Sequence, residues 1–227
     1  MIINGAMQVA QRGTSSTGIT SSGYRQAPDR YRPSIGNAGT WTISQSTDAP
    51  EGFSNSYKFD CTTAKSSLDA GSDMALQYRI EGQDAQLLAK GTSSAASLTV
   101  SFYVKSTKTG TFILELMDND NAREISKAYT ISSSNTWERK VITFEGDTTG
   151  ALDDDNARSL TLQWWLVAGT NFSSGTLNTS WSDPATANRV VGQVNIADST
   201  SNEWLITGVQ MELGEQATPF EHRSFGD

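Results

Sequence analysis

The chain has 227 residues, 36% of them hydrophobic, and a formal net charge of −8 from 17 Lys and Arg against 25 Asp and Glu. That length supports a hydrophobic core without a disulfide or metal staple. The acidity and scattered cations exclude sequence-independent nucleic-acid binding, which needs clustered Lys and Arg to release counterions.

Residues 2–9 are expected to form a short opening strand, and the first residues lack the basic n-region and long apolar stretch of a signal peptide. No stretch approaches the roughly 20 apolar residues that span a bilayer, so no membrane insertion is expected. Residues 1–40 read as this opening strand followed by an extended, irregular arm. A Ser/Thr/Gly tract at 13–23 has little to bury, and Tyr24 and Tyr31 then interrupt a polar segment carrying Pro28 and Pro33. Aromatic and Arg residues are enriched at interface hot spots. Tyr24, Arg25, Arg30, Tyr31 and Arg32 are therefore the candidates for docking the arm on a neighbour.

Residues 41–227 read as one jelly-roll body in which period-2 alternation dominates. Phe53, Tyr57, Phe59 and Cys61 share one face; Met74, Leu76, Tyr78 and Ile80 alternate with Gln77, Arg79 and Glu81; Leu98, Val100, Phe102 and Val104 alternate with polar neighbours. Phe112, Leu114 and Leu116 follow a Thr109–Gly110 turn, and further strands are expected at 125–131, 137–144, 160–167, 190–196 and 204–213. Only 82–90 reads as helical, ended by Gly91. Strands joined by turn-rich connections, without strand–helix–strand alternation, predict an all-β, antiparallel jelly-roll β-sandwich with at most one short helix.

The chemistry of the side chains argues against an enzyme. Cys61 is the only cysteine, so no intrachain disulfide is possible, and it reads as a small apolar strand residue. His222 is the only histidine, which removes several common zinc sites and leaves a nucleophilic triad one base to use. Glu115 and Glu124 are expected to point outward from strands as solvated charges. Asp118, Asp120, Asp153 and Asp155 lie in Asx-rich turns; backbone-bonding turn chemistry is the first reading and a structural calcium the second. Of the adjacent Trp164 and Trp165, one indole must enter the core while the other faces away. Trp204, opposite in parity to Val209, Met211 and Leu213, is expected to leave the main core, and Trp181 sits in a turn-rich segment. These four tryptophans are the candidates for glycan contact or a subunit interface.

The opening segment 3–13, the internal segments 78–84, 100–106 and 136–141, and the ending 206–227 occur in the order found in a jelly-roll domain of phage tail-fibre and other virion proteins, notably marine ones, which the chain resembles throughout. Members of that family often continue past the Arg-Ser-Phe-Gly-Asp ending into a cysteine- and tyrosine-containing stretch. The resemblance implies a non-enzymatic virion structural protein, a tail-fibre or appendage domain or a capsid decoration protein, made in the host bacterial cytoplasm. It would act by subunit assembly with other virion proteins, with a homotrimer favoured. At greater distance the layout is similar to carbohydrate-binding modules built as β-sandwiches. That likeness implies the alternative, an adhesion module whose main role is to recognise a host-surface glycan. No cofactor is implied beyond the structural calcium that such sandwiches often hold.

Overall fold

A computed structural model describes residues 2–222; the final residues of the phage-like ending, 223–227, lie outside the described residues. Eleven strands follow in chain order: β1 (Ser15–Ile19), β2 (Tyr31–Gly36), β3 (Thr40–Ser46), β4 (Ser56–Thr63), β5 (Asp73–Glu81), β6 (Leu98–Ser106), β7 (Gly110–Asp118), β8 (Arg123–Ile131), β9 (Glu138–Phe144), β10 (Arg158–Ala168) and β11 (Glu203–Leu213). They form a six-stranded sheet in the order β1-β3-β4-β11-β6-β9 and a five-stranded sheet in the order β2-β5-β10-β7-β8. Every pairing is antiparallel. Most successive strands cross from one sheet to the other, which makes the sandwich a jelly roll. Helical structure is confined to single turns: α1 (Gly82–Ala85), where the sequence predicts it, α2 (Thr170–Ser173), and three 3-10 turns.

The alternating apolar faces meet between the sheets. Trp41, Tyr57, Phe59, Phe102, Phe112 and Trp164 are completely buried there. Phe102 meets the edge of Trp164 at 5.8 Å and 86°, and Tyr31 contacts Tyr78 at 5.2 Å. Tilted and edge-to-face pairs of this kind suit the ring quadrupoles.

The start of the chain departs from expectation. Residues 2–9 are not a strand but a compact turn, with Asn4 and Met7 at φ 61° and 58°. The Asn4 side chain holds it, donating from Nδ2 to the Val9 carbonyl (2.9 Å) and accepting from the Val9 amide (2.9 Å). The expected irregular arm instead supplies one strand to each sheet. β1 emerges from the Ser/Thr/Gly tract and pairs with β3, and β2 forms the edge of the five-stranded sheet. Pro33 is accommodated because an edge strand leaves one side of its ladder unpaired. Tyr31, expected to dock a neighbour, is a buried core residue.

Two further expectations fail for local reasons. Residues 190–196 are not a strand; the chain bends there, with Gly192 at φ 93°, and runs over the outer face of the five-stranded sheet. Trp204 does not leave the core: it is fully buried against Phe59, 6.1 Å away. The pairing of β11 with β6 shifts register between Thr207 and Gln210, at Gly208 (φ 61°). This bulge inverts the parity of the strand, so Trp204 and Ile206 before it, and Val209 and Met211 after it, all face inward.

A Cβ at Gly208 would lie 2.7 Å from the Phe53 ring and 2.9 Å from that of Tyr103. Gly208→Ala is therefore expected to destabilise the fold by about 1–3 kcal/mol, read from urea unfolding midpoints. A neutral substitution would contradict the bulge as the device that turns Trp204 inward.

Candidate functional site

The register of the five-stranded sheet aligns one residue from every strand in a single row: Arg32, Gln77, Gln163, Glu115 and Ser126. Side chains alternate across a sheet, so all five lie on its outer face. Arg32 Nη1 donates to Gln77 Oε1 (3.0 Å), Gln77 Nε2 to Gln163 Oε1 (2.7 Å), and Gln163 Nε2 to Glu115 Oε2 (2.7 Å). The sheet thus carries a hydrogen-bonded polar chain across four strands.

Half of this face is closed. The connection from β10 to β11 crosses β7 and β8, where the Ser126 amide donates to the Asn178 carbonyl (2.7 Å), Glu124 bridges Ser182, and the Val194 amide donates to the Thr111 carbonyl (3.0 Å). Arg189 reaches down from it to grip Glu115 with two bonds of 2.7 and 2.9 Å, and lies 3.0 Å from Glu124. Trp165 donates to the same Glu115 oxygen (2.8 Å) and packs beneath Phe172 at 5.5 Å. Glu115 and Glu124 do face outward, but both are completely buried under this cover rather than solvated. Burial, and next the charge of Glu115, push the Glu124 carboxyl pKa up.

The β2–β5 half of the face stays open. Arg32, Gln77 and Arg79 are half-buried and Arg158 is exposed. Beyond it, a cleft of about 840 Å³ opens where the turn at 2–12 crosses the ends of β5 and β11, and Tyr24, Arg30, Arg79, Arg158 and Asn156 are among its walls. Its size falls within the usual range for small-ligand pockets, roughly 300–1,000 Å³. Tyr24 is 46% exposed, with the Arg12 guanidinium over its ring at 5.2 Å. Arg12 is paired to Asp29 (3.1 Å). Arg30 lies over the Tyr78 ring at 6.0 Å, and Arg25 donates to the Ser21 carbonyl.

The acidic turns are built around a cation supplied by the chain itself. Lys90 Nζ, following the 3-10 turn Gln86–Leu88, contacts Asp118 (2.5 Å), Asp147 (3.0 Å) and the carbonyls of Thr149 (2.8 Å) and Gly150 (2.9 Å). Two carboxylates and two carbonyls around one ammonium leave a calcium ion no room at Asp118. Burial opposes the Asp147 charge, but bonds from Arg123 and Lys90 outweigh it and hold the carboxyl below its ordinary value. Asp120 accepts from the Asp153 amide (3.1 Å) and Asp155 from the Ala157 amide (2.9 Å), which is turn chemistry. No cluster of three or more metal-ligating side chains occurs among the described residues.

The tryptophans are placed as follows. Trp164 faces the core and Trp165 the other side, as alternation requires, but neither is an open platform, and the buried Trp204 cannot contact a ligand or subunit. Trp181 is half-buried, donates to the Glu145 carbonyl (2.8 Å) and lies under Lys90 at 5.2 Å. Cys61 is buried, and its thiol is pushed up to about 11 by burial and next by Asp60, the opposite of nucleophile activation. His222 is exposed and packs on Phe220 and Phe53 at 4.8 and 5.1 Å.

Removing the ammonium strands the buried Asp118 and leaves Asp147 with Arg123 alone, so Lys90→Met is expected to cost about 3–5 kcal/mol. Chelation of divalent cations is expected to leave the wild-type melting temperature unchanged; a chelator-induced drop would contradict the Lys90 assignment. Glu124 makes a prediction about pH. A carboxyl whose pKa is raised by folding contributes stability that is complete below its ordinary value of 4.5 and is lost as pH rises through the raised one. Wild-type stability should fall across that range, and Glu124→Gln should flatten the slope; equal slopes in denaturant titrations would refute it.

No protein-family model matches the sequence, and no curated protein matches it. Among solved structures, it is similar to the enzymatically active domain of bacteriophage CBA120 tailspike protein 4, with 13% identity and a TM-score of 0.41, covering 93% of this chain and 21% of that one. The chain therefore spans about a fifth of that structure's length. It is also similar to the C-terminal family 22 carbohydrate-binding module of Clostridium thermocellum Xyn10B (10% identity, TM-score 0.43, 89% of this chain and 98% of that one). The family 11 carbohydrate-binding module of a cellulosomal cellulase from the same organism gives 11% identity and a TM-score of 0.42, covering 93% and 99%. The sandwich assignment itself rests on the strand pairing described above.

Proposed function

We propose that this chain is a non-enzymatic carbohydrate-binding adhesion module of a bacteriophage virion, recognising a host-surface glycan through the cleft and the open half of the five-stranded sheet. The observation that carries the reading is the cleft of about 840 Å³, where an exposed tyrosine ring faces a space walled by guanidinium and amide donors. Saccharides offer apolar ring faces and a rim of hydroxyls, and such a wall meets both. A catalytic reading lacks this support. The carboxyl pair that shares Arg189, Glu115 and Glu124, is sealed beneath the β10–β11 connection, and hydrolysis of a glycosidic bond needs two carboxyl groups flanking an accessible substrate.

The virion setting is supported by the phage-like segments at 3–13, 78–84, 100–106 and 136–141. It also favours a second role, assembly into a tail fibre, appendage or capsid decoration as a homotrimer. For that role the specific observation is the shallow surface hollow between Arg12, Ser15, Tyr24 and Arg25 on the exposed flank of β1, a sheet-edge strand.

Binding to a panel of bacterial-surface polysaccharides separates the two. If the cleft contacts glycan, Tyr24→Ala should weaken binding about tenfold, equivalent to about 1.4 kcal/mol, while the sedimentation coefficient stays that of wild type. Binding to no polysaccharide, with a shift in oligomeric state on Tyr24→Ala, would refute the adhesion reading and favour assembly.

A further inference from the structure

We propose that Arg32, Arg79 and Arg158 form an anion site that takes the carboxylate or sulfate group of an acidic saccharide. The inference rests on the glycan-contact reading and names its substrate class. The three guanidiniums come from neighbouring strands, β2, β5 and β10. Arg32 stands opposite Gln77, so Arg79 is its diagonal neighbour across the strand pair, about 7–8 Å away in such a ladder. Arg158 begins β10 opposite Glu81, two residues along β5 from Arg79.

What marks these three is that they crowd one another; like Arg25, Arg30 and Arg139, they have no carboxylate partner among the described residues. Arg12, Arg123 and Arg189 each sit 2.7–3.1 Å from a carboxylate, whereas no carboxylate lies within 4.0 Å of Arg32, Arg79 or Arg158 among the described residues. In a chain with eight more acidic than basic side chains, a carboxylate is the commonest charged partner available. Instead the cations face one another. Burial and, next, the Arg79 charge lower the pKa of Arg32 and of Arg158. One neutral oxygen, Gln77 Oε1, serves both Arg32 (3.0 Å) and Arg79 (3.5 Å). The Nε of Arg79 is buried with no acceptor at all, and an orphaned buried donor is costly unless a ligand supplies its partner.

The guanidinium fork matches the paired oxygens of a carboxylate or sulfate. Arg79 and Arg158 also wall the cleft that holds Tyr24. An anion bound there is thus positioned as one substituent of a larger molecule whose ring can meet the tyrosine.

The test is calorimetric titration of the intact protein with polygalacturonate, alginate and a sulfated galactan. Methyl-esterified pectin and unsulfated galactan serve as neutral counterparts, and sodium sulfate and single-stranded DNA complete the set. At least one acidic polysaccharide should bind, its neutral counterpart at least about tenfold more weakly, and Arg79→Gln should lose at least about tenfold, as expected for a bond to a charged group. Arg32→Gln, on an edge strand, supplies a second variant, and unchanged thermal melting shows that both fold. Equal binding of neutral and charged polymers, unaffected by either variant, overturns the anion site and leaves the glycan reading standing. Sulfate or DNA binding without any polysaccharide overturns the saccharide assignment. No binding of any probe overturns both.

Discussion

The buried carboxylate of Glu115 is the point on which the functional face turns. A charge removed from water must have its lone pairs filled, and Glu115 achieves this with donors from three residues: Gln163 and Trp165 from β10 beside it, and the Arg189 fork from above. The Arg189 bond commits the β10–β11 connection to lie over β7 and β8. The Gln163 bond passes order back through Gln77 to Arg32 at the far edge. One ion thereby decides which half of the sheet is covered and holds the residues of the open half in a row.

A second buried ion set works at the end of β7, three residues beyond Glu115. Lys90 gathers Asp118 from the end of β7 and Asp147 from beyond β9, tying the two sheets' connections together where a divalent ion could have done so. Breaking either set leaves a charge stranded, so both act mainly as specificity devices that fix loop positions, while the apolar sandwich supplies the driving force.

The alternating strands were legible because each apolar face needs only its own residues to be recognised. β5, β6 and β10 lie within a few residues of where period-2 patterning puts them, and the opposed directions of Trp164 and Trp165 follow from parity alone. Parity failed at Trp204, because a single positive-φ glycine resets the alternation of β11 and nothing in the hydrophobic pattern announces it. The stretch 190–196 misled in the other direction: Val190 and Ile196 are apolar because they cover Trp165 and reach the core, not because they alternate in a sheet. The ion clusters were illegible for a different reason. Lys90 and Asp147, or Glu115 and Arg189, are separated by more than fifty residues, and only strand register brings them together. The polar side of β5, Gln77 and Arg79, was visible as alternation, yet its meaning depended on Arg32 and Arg158 arriving from two other strands.

The central claim is that the open half of the five-stranded sheet and its adjoining cleft form the recognition surface. Backbone and arginine side-chain NMR shifts, followed while an acidic oligosaccharide is added, test it most directly. The account predicts perturbations confined to Tyr24, Arg32, Gln77, Arg79 and Arg158, with Trp165 and Arg189 unmoved beneath their cover. Perturbations centred on Phe53, Tyr103 and Val141 across the six-stranded sheet, or none at saturating ligand, would contradict it.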